Sequence, residues 1–484
     1  MSDPRPESSA PLALPRQRLS LLDSTSIIVG IIIGSGIYQS SPTIATGAGR
    51  FAEEIGPRLG VTTGDGQGLL ALAALLGVWL VGGLIALVGA ACYSELGTAF
   101  PRAGGTYVYL SEAFGRSVGF AFVWAEFWIV RPGNLGAIAF VLGRYARQLL
   151  PFTVPTGSIH LVELLLAVIA IAIITLLNAI GLRSGTRTQN VLTAAKVLGL
   201  LAVVVAALSL DRGHSAEPLP DGPSMTLWLS LILVMFAYGG WADMSFVAAE
   251  VRDPRRNISR ALLLGILAVG AIYLSVTLAF VWGLGFRGLA GSEAVAAELV
   301  GRRIGSAGSA AISLLVIVSC LGSINGTIFT GARVYYALGT QHPGFRWLGA
   351  WNEAKGIPLR ALLIQAAASL GLIVALGLFP GGFERLVIFT TPFFFGFLML
   401  VGIGLILLRR RGQTGQTTYR VPLFPLTPVL FILSSAAMVY ASVDYAYKNR
   451  AHEAWWAAAV VATGLIAGII DWRQRQKHAR RRAS

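Results

Sequence analysis

The sequence predicts an all-α integral membrane protein, and three observations carry that reading. Hydrophobic residues make up 55% of the 484 positions and charged residues only 13%, with a mean hydropathy of +0.69. A soluble globular domain carries about 25% charged residues. One soluble core cannot hide this much apolar surface, so a bilayer must cover part of it. Uncharged runs long enough to cross about 30 Å of hydrocarbon recur, among them 69–92, 262–284 and 304–332. Finally, the net charge of +15 is not spread over a basic face. It sits in short loops between apolar runs and in a tail, which is a membrane-topology pattern and excludes a nucleic-acid partner.

Twelve spans are predicted, at 22–49, 68–98, 117–150, 160–181, 188–210, 225–249, 259–285, 304–338, 359–379, 384–408, 424–444 and 453–471. The third is long, and Pro132-Gly133 is expected to bend it. An even number puts both termini on one side. That side collects 25 Lys and Arg residues, against 11 on the other, with Arg131 and Lys196 counted inside spans. The positive-inside rule then makes both termini cytoplasmic, in a multi-pass protein of the cell membrane. The polar, Pro-rich N-terminus lacks the basic-then-apolar order of a cleaved signal peptide, so the first span is expected to stay. The basic tail from 472 onwards reads as a topology anchor, with anionic lipid as the alternative contact.

Two spans carry breaks. Residues 27–40 (I-I-V-G-I-I-I-G-S-G-I-Y-Q-S) are apolar, yet Gly34-Ser35-Gly36 sits at their centre. The sixth span contains F-A-Y-G-G-W at 236–241. Each glycine weakens a helix by about 1 kcal/mol relative to alanine. Close helix packing is the plainer use of membrane glycines, and the chain has 57 of them. The positions decide otherwise: span one and span six open two sets of five, and paired interruptions of this kind point to a transporter binding site. Non-helical backbone at membrane depth survives only where it lines a cavity or is buried in protein. A half-helix starting after a break offers N–H groups to a carboxylate, and one ending at a break offers carbonyls to an ammonium. Together they fit an α-amino acid head group.

These strings resemble the amino acid–polyamine–organocation superfamily, and within it the L-type amino acid transporter-like permeases. The matching pieces are V-G-I-I-I-G-S-G-I-Y (29–38), P-R-A-G-G-T-Y-V-Y-L (101–110), E-A-F-G (112–115), F-A-Y-G-G-W (236–241), A-E-V-R-D-P-R-R-N-I-S-R-A (249–261), S-I-N-G-T-I-F-T-G-A-R-V-Y-Y-A (323–337) and Y-R-V-P-L-F-P (419–425). The resemblance implies a LeuT-type fold. A tail (1–20) would precede five helices (21–210) and an inverted repeat of five (211–410). Two extra helices (411–471) and a basic tail (472–484) would follow, with helices one and six discontinuous. It implies sodium-independent transport of L-amino acids, most simply neutral ones, by alternating access as an exchanger or uniporter. Ser35 and Gly36 would meet the substrate carboxylate, and the carbonyls of Ile32, Phe236 and Gly239 its ammonium. Phe236 would also gate the site, with Ile33, Gly34, Ile37 and Ala237 around it. A polar Asn often follows Gly-Gly-Trp in the family, where this chain has Ala242. Ala242 and its neighbour Asp243 are therefore candidate selectivity positions, and Asp243 faces either a cationic substrate or another helix.

Lys196 lies inside the fifth span, at a cost of roughly 2.5–3.5 kcal/mol on insertion scales. It must snorkel or find partners. The resemblance implies that it reaches the backbone near Gly30 and the hydroxyl of Ser323, replacing a sodium ion. The same lysine could instead carry a coupling proton, which makes proton symport the alternative. Glu126 and Arg131, five apart on the third span, read as a structural ion pair or as interface residues; Glu95 and Glu163 are the other intramembrane carboxylates. The 252–257 run (R-D-P-R-R-N) reads as a loop anchor or a gating element.

No cofactor, metal cluster or enzyme motif is present in the sequence: H-E-x-x-H, G-x-S-x-G and the Walker P-loop are all missing. A transporter-like sensor is disfavoured by the short tails. Cys92 and Cys320 lie within apolar runs. A disulfide-linked heavy subunit, as used by animal members of the family, is therefore not implied.

Overall fold

The computed structural model describes residues 17, 19–61, 65–102, 104–211, 213, 219, 227–292, 294–378, 382–415, 417–449, 458–470, 473 and 476. Among them the chain is helical, without a named strand. In order the helices are α1 (Leu21–Ile32), α2 (Gly36–Ile55), α3 (Asp65–Ala99), α4 (Thr106–Phe114), α5 (Arg116–Ala125), α6 (Arg131–Gln148), α7 (Ile159–Ile180), α8 (Leu182–Leu208) and α9 (Leu227–Ala237). The second half holds α10 (Pro254–Leu284), α11 (Phe286–Ala290), α12 (Val295–Ile304), α13 (Ser306–Gln341), α14 (Leu359–Gly377), α15 (Gly382–Arg410) and α16 (Leu426–Asn449). A last helix, α17, covers Ala458–Ile470.

Among the described residues, eight helical stretches are long and apolar enough to cross a membrane, and the α1–α2 pair, bent by 46° at its break, makes a ninth. Of the twelve expected spans, these nine meet the test of length and composition. The third expected span is helical across α5 and α6, but its buried charges lower its hydropathy, and α14 and α17 are short. The multi-pass membrane character is plain from the surfaces. On α3, Trp79 and Leu75 are fully buried while Leu80 and Leu84 are exposed. A helix apolar on both faces needs lipid on the outer one. The N-tail to residue 16, the basic tail apart from residues 473 and 476, and most of 212–226 lie outside the described residues. Arg333, counted with the loop charges in the orientation argument, is instead buried inside α13.

Between α5 and α6 the chain makes a five-residue π-helical turn, Glu126–Val130, immediately before Pro132. Proline has no N–H to give the preceding turn, and a π turn is one way a helix absorbs that gap. α1 is central: it packs on α8, α10 and α13. Its entry is fixed by a capping box between Ser20 and Asp23. Ahead of it, Leu19 pairs with the Glu250–Arg252 backbone: its N–H meets Glu250 O at 2.8 Å and its O meets Arg252 N at 2.8 Å.

Candidate functional site

Two helices stop inside the bundle, and the stops meet. α1 ends at Ile32, Ile33 leaves helical geometry (φ −72°, ψ 83°), and α2 restarts at Gly36 after Ser35. α9 ends at Ala237, Gly240 takes the left-handed φ of +99°, and a 3-10 helix follows over Trp241–Glu250. A Cβ on Gly36 would stand 2.7 Å from the Ala237 backbone, and one on Gly240 would overlap Ile31. Glycine at these two positions lets one break press on the other. Tyr273 of α10 ties them: its hydroxyl lies 2.8 Å from Ile32 O and 3.1 Å from Ala237 O.

A cavity opens beside the breaks. Ile32, Gly34, Ser35 and Gly36 line it from one side. Phe236, Ala237, Gly239, Gly240, Ala242 and Asp243 line it from the other. Asn134 and Ile138 of α6 and Thr390, Thr391, Phe394 and Leu398 of α15 complete the wall. The Ser35 hydroxyl is buried and meets no partner among the described residues. The first N–H groups of α2 have no acceptor within their own helix, and its positive dipole end faces the break. The C-terminal end of α9 offers carbonyls from the opposite side. The site therefore presents donors and acceptors made largely of backbone, the pattern of a half-helix ligand site.

A model of the family described as amino acid permease matches residues 19–466. The chain belongs to the amino acid permease family. It is 29% identical to the b(0,+)-type amino acid transporter 1 of Homo sapiens over 437 residues, 88% of this chain and 83% of that one. It is 30% identical to the cystine/glutamate transporter of Homo sapiens over 434 residues (88% and 80%). It is 28% identical to the large neutral amino acids transporter small subunit 2 of Mus musculus over 457 residues (91% and 80%). This permease is thus a membrane transporter by family, not an enzyme.

In this permease Lys196 is fully buried on α8 and reaches the end of α1. Its Nζ donates to the carbonyls of Gly30 and Ile33, both at 2.6 Å, and lies 3.2 Å from the Ser323 hydroxyl on α13. The Ser323 hydroxyl is itself 3.0 Å from Gly30 O. Among the described residues no carboxylate pairs with Lys196. Its charge rests on carbonyls at the negative end of the α1 dipole.

The permease cavity departs from the sequence expectation at three backbone positions. Ile33 and Ile37 do not line it: Ile33 is buried with its carbonyl turned to Lys196 and Ser319, and Ile37 is buried in the core. The carbonyl of Ile32 already accepts from Gly34 N–H at 2.8 Å and shares the single Tyr273 hydroxyl proton, at 2.8 Å, with Ala237 O, at 3.1 Å. The Phe236 carbonyl accepts from Gly239 N–H at 2.9 Å. Gly30 stands behind the cavity with Lys196.

Two buried ion clusters exceed what the sequence pairing anticipated. Arg131 meets Glu126 at 2.5 Å, and also Asp243 at 2.6 and 3.3 Å. The π turn explains the first contact, because five-residue spacing places Glu126 and Arg131 in line. The second joins residues 112 apart and brings Asp243 against Arg131 of α6. Arg333 pairs with Glu250 in the second cluster and also bonds Phe329 O. Sequence reasoning passed over Tyr273, Arg333 and Glu250; for Arg333 and Glu250 the signal available was a charge within or at the end of an otherwise apolar run, and for Tyr273 there was none. Glu163 pairs with Arg147 at 3.0 Å, and Glu95 accepts from Val421 N–H at 2.7 Å with Arg409 at 3.6 Å. The R-D-P-R-R-N run starts α10, with Asp253 ahead of Pro254.

Proposed function

We propose that this permease moves L-amino acids, most simply neutral ones, across a cell membrane by alternating access, independently of sodium, as an exchanger or uniporter. The observation that carries the reading is the meeting of two helix breaks at one cavity, with the buried Ser35 hydroxyl and the start of α2 left for a carboxylate. Phe236 and Gly239 supply the carbonyls for an ammonium, and the Phe236 ring gates the cavity. Lys196 provides a fixed charge where coupled relatives would need an ion. The reading includes twelve helices in a LeuT-type 5+5 arrangement, with both termini cytoplasmic. It requires no cofactor, no nucleic acid and no disulfide-linked heavy subunit; both cysteines are free and buried. The relatives' names range over large neutral amino acids, cystine and glutamate, so they leave the substrate's side-chain charge open.

The test is uptake of radiolabelled amino acids into proteoliposomes, with and without internal amino acid, sodium and a pH gradient. Uptake that needs internal substrate marks an exchanger, and uptake without it a uniporter. Failure to accumulate any amino acid under any gradient would sink the proposal. A second reading, proton symport through Lys196, is favoured by the burial of that lysine without a carboxylate partner among the described residues. It requires uptake to rise with an inward proton gradient, and that response to vanish in Lys196→Ala.

A further inference from the structure

We propose that Asp243 is a specificity-determining residue that shuts acidic side chains out of the cavity. The inference rests on the amino acid transport reading and fixes its substrate class. Among the described residues, three charged ones line the cavity: Glu126, Arg131 and Asp243. Lys196 does not. An arginine in such a wall is the natural receptor for a carboxylate. Here the receptor is already occupied. Asp243 holds the guanidinium at both ends, with Oδ2 2.6 Å from Nη1 and Oδ1 3.3 Å from Nη2. Glu126 takes Nη2 at 2.5 Å. The Thr327 carbonyl and the Thr330 hydroxyl stand 3.5 Å from Nη1, and the Phe246 ring lies 5.4 Å from the guanidinium carbon. Only Nε is left without a partner among the described residues.

The wall therefore carries two carboxylates for one guanidinium. A third carboxylate, brought in on a glutamate or aspartate side chain, would meet an excess of like charge. At separations near 5 Å in partly screened protein, that repulsion corresponds to about 100-fold in affinity. A neutral side chain meets no such penalty. Asp243 is the most exposed of the three, at 8% against 4% for Glu126 and 2% for Arg131. This is selection by repulsion of the wrong ligand, with no new attraction for the right one.

The experiment is competition binding on the purified full chain. Radiolabelled L-alanine, L-leucine and L-glutamine serve as neutral probes, with L-glutamate and L-aspartate as competitors. In the unaltered protein the acidic amino acids should bind about 100-fold more weakly than the best neutral probe. In Asp243→Asn that ratio should fall at least tenfold, through gain of glutamate binding, while Asp243→Glu keeps the original ratio. Glu126→Gln should shift the ratio in the same direction by a smaller factor, and it serves if Asp243→Asn does not fold. Glutamate binding within threefold of the best neutral probe in the unaltered protein overturns the inference. So does an unchanged ratio in a folded Asp243→Asn, or in Glu126→Gln where Asp243→Asn does not fold. If a neutral probe binds and the ratio does not move, only this inference falls. If none of the five amino acids binds, the transport reading fails and takes the inference with it.

Discussion

Among the buried cations of this permease, Arg131 and Lys196 are held in opposite ways. Arg131 is neutralised by side chains, Glu126 and Asp243, on the π turn and the 3-10 helix. Lys196 is held by backbone carbonyls of α1 and one hydroxyl. A cation paired with carboxylates is fixed wherever those carboxylates are. A cation held by carbonyls is fixed only while the helix end that supplies them stays where it is. Arg131 is therefore a matter of charge balance, and Lys196 a sensor of where α1 stops.

The sharpest way to break this contrast is to remove each cation alone. Arg131→Ala strands two buried carboxylates and should destabilise the fold by about 3–5 kcal/mol. Thermal unfolding in detergent reads it, and a melting point unchanged within a degree would show that the triad is not structural. Lys196→Ala should act on transport more than on the fold. It forfeits charge-assisted bonds worth roughly 1.5–3 kcal/mol each, so uptake should drop about 100-fold while substrate Kd moves less than threefold. Unchanged uptake would return Lys196 to a packing role.

A smaller effect is expected for Ser323→Ala. One shared hydroxyl is worth about 0.5–1.5 kcal/mol, so uptake should fall about fivefold; a loss as large as that of Lys196→Ala would mean that the hydroxyl, not the ammonium, joins α1 to α13. The least effect is expected for Arg147→Ala. Its pair with Glu163 is partly exposed, and such pairs contribute about 0–1 kcal/mol. A change in uptake beyond twofold would show that the 3.0 Å contact does more than decorate α6 and α7.

Local punctuation made the breaks legible in advance. Gly34-Ser35-Gly36 and the Gly239-Gly240 pair interrupt apolar runs, and the cost of glycine in a helix is a property of the residue itself. Lys196 was equally visible, because a lone charge in an apolar run has to be accounted for. The Glu126–Arg131 pair was visible by spacing. The partner of Asp243 was not: Arg131 is 112 residues away, and no local pattern encodes that meeting. Tyr273 reads in sequence as one more aromatic in a span, and its service to both breaks exists only in the packed bundle. The roles of Ile33 and Ile37 went astray because sequence shows that a helix stops but not which way each residue turns at the stop.

The pairing of Leu19 with the Glu250–Arg252 backbone has a practical side. Leu19 stands two residues ahead of α1, Glu250 closes the 3-10 helix after the second break, and the Glu250 carboxylate holds Arg333 of α13. Three segments far apart in sequence are thus laced together at one knot. Anyone trimming or tagging the N-terminal end works directly on that lacing. A cut that spares Leu19 leaves it whole; a cut one residue deeper removes both backbone hydrogen bonds, and with them the tether between the chain's leading segment and the sixth span.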